Sequence, residues 1–107
     1  MNRGEVYWTD FPESVGGEIR RGRPAVIVTN DDAVAALNRV QVVPLTRSTA
    51  RVFRGEALVT FQGARSKALA TQIDTLDKSR LGRRMGGLTS ADMRRIEDAI
   101  KEQLGLS

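Results

Sequence analysis

The hydrophobic pattern of this 107-residue chain changes period once, close to residue 88, and that change limits the folds open to it. In "LTSADMRRIEDAIKEQLGL" (88–106) Met93, Ile96, Ile100 and Leu104 recur at helical intervals, with Arg94, Arg95, Asp98 and Lys101 outside the stripe. The spacing predicts one amphipathic helix. Thr89 reads as its N-cap, Asp92 three residues on completes a capping-box pattern, and Gly105 supplies the stop. An apolar stripe needs a surface to cover, and a sheet is the expected one, ahead of a partner protein.

Everything before that point reads at strand length. "GEVYWTDF" (4–11) is short, aromatic and partly alternating, and "PAVIVT" (24–29) follows with Pro24 at its start, where a missing N–H does least harm to a ladder. "VQVVPL" (40–45), "GEALVTF" (55–61) and "SKALATQI" (66–73) are a third, fourth and fifth strand. Short strands with turn signals between them predict a small barrel or compact antiparallel sheet. The connection "PESVGGEIRRG" (12–22) is long for a hairpin loop in so small a chain, and loops of that kind tend to be functional. No repeat or linker interrupts the chain, so one domain over 1–107 is expected.

The residue inventory then narrows the chemistry. An apolar fraction of 40% and a charged fraction of 28% are those of a folded globular protein. The longest apolar runs, such as "AVAAL" (33–37), are far too short to span a membrane, and the N-terminus carries no signal pattern, so a cytoplasmic protein without membrane partners is expected. The chain has no Cys and no His. That removes Ser-His and Cys-His dyads and any nitrogen or sulfur ligand for zinc. A carboxylate-only metal site stays open, but the acids are scattered or adjacent, as at Asp31 and Asp32; no metal and no cofactor are expected.

The net charge is +4, and residues 18–84 hold thirteen basic against six acidic side chains. Fourteen of the seventeen basic residues are Arg, whose planar fork suits bidentate contact with phosphate. A solvated basic surface is the other reading of that composition.

Four ordered blocks go further: "RGEVYW" (3–8), "GGEIRRGRPAVIVTND" (16–31), "VVPLT" (42–46) and "TQIDTLDKSRLG" (71–82), ahead of a helix closing on "LGL". Over nearly its whole length the chain resembles the MazF/PemK/Kid family of toxin endoribonucleases. The resemblance implies a mostly β fold with a C-terminal α-helix, the CcdB/PemK-like SH3-type antiparallel barrel, working as a homodimer. It implies the toxin of a type II toxin-antitoxin system that cuts single-stranded RNA at a short sequence, without a metal or the ribosome. Translation and growth would stop, and a MazE-like antitoxin with an acidic disordered tail would restrain the enzyme.

Such cleavage can use the substrate's 2′-hydroxyl as nucleophile, so the protein needs a base, a stabiliser for the charge gathering on phosphorus, and an acid. By the resemblance Arg23 is the stabiliser, held where the long loop meets a Pro-led strand, and Thr46 is the second catalytic residue, binding a phosphate oxygen or orienting the 2′-OH. Glu18 matches a loop acid of the family and would be the base, although an unperturbed pKa of about 4.3 makes it a weak one; a salt bridge to Arg20 or Arg23 is the other reading. Arg20, Arg21, Arg47 and Arg51 suit backbone phosphates, giving affinity that falls with salt, and Gln72 joins them as an RNA-binding residue. Tyr7 and Trp8 can stack bases, with at least one of them facing the core. Thr71 and Asp74 depart from the family pattern around Gln72 and Ile73, which leaves the proton-moving groups and the cleavage sequence unassigned. Two other classes stay open: a CcdB-like gyrase poison, whose C-terminal Trp this chain lacks, and a non-catalytic SH3-like RNA-binding module.

Overall fold

Alternation along the first strand sets the architecture. In β1 (Glu5–Phe11) Tyr7, Thr9 and Phe11 turn inward while Trp8 and Asp10 face out, so one aromatic of the Tyr7-Trp8 pair enters the core and the other stays at the surface. The computed structural model describes residues 1–12 and 21–107, and of Arg21 the backbone alone.

β1 pairs antiparallel with β2 (Arg21–Ile27), which pairs with β3 (Arg39–Thr46). β4 (Glu56–Phe61) and β5 (Ala64–Leu69) form a hairpin whose two-residue tip, Gln62-Gly63, has φ of 52° and 74°, the left-handed pair that such turns require. β5 continues onto β3, β6 (Asp74–Asp77) also pairs β3, and β7 (Leu81–Gly87) pairs β1. The order is β4-β5-β3-β2-β1-β7. The expected antiparallel fold with a C-terminal helix is therefore present, but the sheet is not closed: among the described residues no ladder joins its end strands β4 and β7, although Gln62 Nε2 of the β4–β5 turn donates to the Met85 carbonyl at 3.1 Å.

Two cores lie on the two faces. Val26, Val43, Leu45, Val59 and Phe61 pack under the final helix, α2 (Ser90–Leu104), against Met93, Ile96 and Ala99. Ala25, Ile27, Val40 and Val42 face the other way, toward Tyr7, Leu76 and Val34. Val34 belongs to α1 (Asp31–Ala36), a six-residue helix too short to reveal a period; Asn30 caps it by accepting from the Ala33 N–H at 2.9 Å.

The ends of α2 follow the sequence reading with two corrections. Thr89 accepts from the Asp92 N–H at 3.1 Å, and Gly105, at φ 69°, closes a Schellman turn with bonds from Gly105 N–H to Glu102 and Leu106 N–H to Lys101. Asp92, however, does not complete a capping box: its carboxylate accepts from the Thr60 N–H of β4 and from Arg95, so the residue ties the helix to the sheet edge. Leu104 is 53% exposed, and Ala99 takes the place in the core that the stripe assigned to it. The segment 66–73 is also not one strand, since β5 ends at Leu69 and Ala70–Gln72 forms a 3-10 turn. β6 and β7 were not anticipated, because "LGRRMGG" has almost no apolar pattern. Among the described residues no helix is long and apolar enough to cross a membrane.

Candidate active site

Arg23 and Thr46 come together through sheet register. The β2–β3 ladder ends at Ala25 opposite Pro44, and Arg23 and Thr46 each lie two residues beyond that pair on its two strands. Both line a cavity of about 450 Å³ together with Arg47, Ser48, Trp8 and Gln62. Thr46 Oγ1 accepts from the Ser48 N–H at 3.2 Å, which holds the hydroxyl and leaves its proton free to donate. Among the described residues the buried Nε of Arg23 has no hydrogen-bond partner, which makes it a donor available to an anion.

Gly22 and Trp8 shape the wall. A Cβ at Gly22 would sit 2.6 Å from the Trp8 ring, so the Nε1–Cε2–Cζ2 edge of the indole fits against the glycine only because no side chain is there. The outer part of the ring remains open, at 42% exposure. The β4–β5 hairpin tip and β7 contribute Gln62 and Met85 from the far end of the sheet.

The remaining predicted site residues are distributed as follows. Arg47 borders the cavity. Glu18 and Arg20 lie outside the described residues, and Arg21 pairs with Phe11 through its backbone. Arg51 is on the β3–β4 loop and does not line the cavity; its carbonyl accepts from Lys67 Nζ at 2.7 Å. Gln72 is half-buried in the 3-10 turn, also away from the cavity lining, beside an exposed Thr71; Asp74 opens β6 opposite Val42. Ser48, Gln62, Ser66 and Met85 are lining residues that sequence reasoning missed. Nothing in their local sequence marks them, since cross-strand register alone brings them there.

Charge separates this cavity from a larger recess of about 520 Å³ between β4 and α2. That recess carries the carboxylates of Glu56, Asp92, Asp98 and Glu102 against Arg65 and Arg95, which disfavours a polyanion. The Arg23 cavity holds two arginines and, among the described residues, no carboxylate.

Comparison with known proteins places this fold in the class of toxin endoribonucleases. Residues 2–104 match the family model described as PemK-like, MazF-like toxin of type II toxin-antitoxin system, and the chain belongs to that family. Endoribonuclease MazF9 of Mycobacterium tuberculosis is 35% identical, over 99% of this chain and 98% of the relative. Endoribonuclease MazF of Staphylococcus saprophyticus is 32% identical, over 99% and 92%. Among solved structures, an endoribonuclease in complex with its cognate antitoxin from a mycobacterial species aligns with a TM-score of 0.81 at 30% identity, covering 100% of this chain and 97% of that one. MazF from Deinococcus radiodurans, 21% identical, shares the fold with a TM-score of 0.84 over 99% and 97%.

Proposed function

We propose that this chain, as a single domain over 1–107, cuts single-stranded RNA at a short sequence by attack of the substrate's own 2′-hydroxyl, without a metal ion or the ribosome. The observation that carries the reading is that Arg23 and Thr46 line one cavity, with the buried Arg23 Nε lacking a partner among the described residues. As the 2′-oxygen bonds to phosphorus, the 5′-oxygen departs; the 2′-OH proton passes to a base and the leaving oxygen is protonated. The products are a 2′,3′-cyclic phosphate and a 5′-hydroxyl. Arg23 offsets the negative charge that grows on the phosphoryl oxygens, the role in which fixed donors contribute most. Thr46 donates to a non-bridging oxygen, and Arg20, Arg21, Arg47 and Arg51, with Gln72, hold the flanking strand. Among the described residues no carboxylate or amine lines the cavity, so the base has to come from elsewhere, and Glu18 is assigned that role.

Cutting of messenger RNA would arrest translation and growth. The restraint is a cognate antitoxin whose acidic, initially disordered tail occupies the basic RNA path, and the working form is a cytoplasmic homodimer. The antitoxin is supported by the family description and by the mycobacterial complex.

Incubation of the protein with an end-labelled, unstructured transcript in EDTA, with no ribosomes present, tests the reading. New fragments bearing 2′,3′-cyclic phosphate are expected. Retention of RNA without cutting would make the chain a binding module and remove the catalytic roles.

A further inference from the structure

We infer that the exposed ring of Phe53 is a nucleobase-stacking platform for a nucleotide beside the scissile phosphate, an inference that rests on the RNA-cleavage reading above.

Phe53 is 58% exposed, yet its backbone is fixed on both sides. Its N–H donates to Glu56 Oε1 at 2.8 Å, and its carbonyl accepts from the Glu56 N–H at 3.1 Å. That second bond closes a tight turn with Gly55 third, at φ 80°, as a type II turn demands. The turn is pressed onto its surroundings: a Cβ at Gly55 would meet Thr71 Cγ2 at 2.8 Å and Gln103 Oε1 at 2.9 Å. Beneath it lies Lys67, whose Nζ donates to the Arg51 carbonyl at 2.7 Å and pairs with Glu56 at 3.1 Å, both side chains about nine-tenths buried. An ion pair buried to that degree orders the loop that presents the ring.

The charge around the ring selects the ligand. Arg51 Cζ and Lys67 Nζ each lie 5.9 Å from the ring centroid, within cation–π range, and Arg54 follows in the sequence. A base joined to a phosphodiester offers both a flat apolar face and negative charge. Arg54 is already paired with Glu102 at 2.9 Å, so the charge beside the ring that an apolar protein surface would have to bury is that of Arg51, and an acidic peptide would leave the ring uncovered.

Position links the platform to the cavity. Lys67 is the cross-strand partner of Thr46, and directly opposed residues project from the same face of a sheet. Thr46 and the Lys67 that anchors the Phe53 turn therefore stand side by side, so an RNA strand that leaves the cavity over Lys67, rather than toward the acidic recess bordered by Val52 and Glu56, would reach the ring.

The test compares Phe53→Leu, which keeps apolar bulk without an aromatic face, with Phe53→Trp, which enlarges that face. Each is placed in the Arg23→Ala background, and binding of a mixed-sequence single-stranded RNA is measured alongside solution mass. Loss of one stacked base weakens binding by about 5- to 150-fold, the drop expected for Phe53→Leu, whereas Phe53→Trp should bind at least as well as Phe53. With Arg23 intact, Phe53→Leu should raise KM at unchanged kcat and leave the set of cut sites unaltered, because stacking accepts any base. Equal RNA affinity in the Leu variant, or a fall in its solution mass, overturns the platform; the mass change would assign the ring to contact with a second copy. If the wild-type protein cuts RNA while the Leu variant binds it equally, the proposed function stands and only the platform falls. Absence of cutting by wild type removes both.

Discussion

Arg23 and Thr46, each two residues past the Ala25–Pro44 pair on antiparallel neighbours, border the same cavity, although 22 residues of α1, loop and strand separate them in sequence. Each is held by its own strand pairing, Arg23 opposite Thr9 of β1 and Thr46 opposite Lys67 of β5, so both are carried by sheet rather than by loop. Replacing Arg23 by Ala should lower RNA cleavage by about 10²- to 10³-fold, and Thr46→Ala should remove most of the activity. Both residues sit outside the two cores, so neither Ala variant should unfold the protein, and Arg23→Ala, which removes a buried donor, should not lower its stability. Arg23→Lys keeps the charge but loses the planar fork and should recover only part of the rate. Full activity in either Ala variant would take that residue out of the mechanism.

Trp8 offers an internal reporter, as the chain's only tryptophan. Its indole rests on Gly22, and a methyl group there would intrude to 2.6–2.8 Å of three ring atoms. Gly22→Ala should push the ring off the cavity wall, shift its emission to longer wavelength and weaken RNA binding several-fold, at a stability cost of about 1–3 kcal/mol for the crowding. Unchanged fluorescence with weakened binding would show that the wall is not set by this contact.

The Lys67–Glu56 pair is the most buried ion pair among the described residues, with side chains 10% and 11% exposed. Truncating one partner leaves the other charged and unpaired, so Lys67→Met or Glu56→Leu alone should cost about 3–5 kcal/mol. The double variant should recover much of that loss, because both desolvation costs disappear together. A double-mutant cycle in chemical denaturation measures the coupling, and strictly additive losses would mean that the pair is not coupled.

How much of this was legible in the sequence depended on the range of the signal. α2 was readable because its apolar stripe and both caps are local; only the destination of the Asp92 carboxylate, a β4 N–H, was hidden. β6 and β7 were not readable, since Asp74–Asp77 and the Arg- and Gly-rich Leu81–Gly87 owe their strand state to partners on β3 and β1 rather than to their own pattern. Arg23 and Thr46 stood out only through the motifs around them. Gln62, Ser66 and Lys67 are ordinary strand and turn residues until register brings them beside Thr46 or the cavity, and no single sequence displays register.

Acid should weaken the junction of β1 and β7. Burial pushes the Glu5 carboxyl upward, but bonds from the Asn2 N–H at 2.7 Å, the Tyr7 hydroxyl at 3.0 Å and Arg84 Nε at 2.8 Å outweigh it and hold the group below its usual 4.5. A carboxylate with a depressed folded pKa contributes stability that is fully present above the unfolded value and is lost as pH falls through the folded one. The contribution should therefore be complete at neutral pH and fade below 4.5. Arg84 is half-exposed, which limits the network to about 1 kcal/mol. Glu5→Gln should lower stability at neutral pH by that amount, read as a lower Tm, and lose less than wild type on acidification, so the two melting curves converge in acid. Parallel melting curves across the range would mean that Glu5 carries no pH-linked stability.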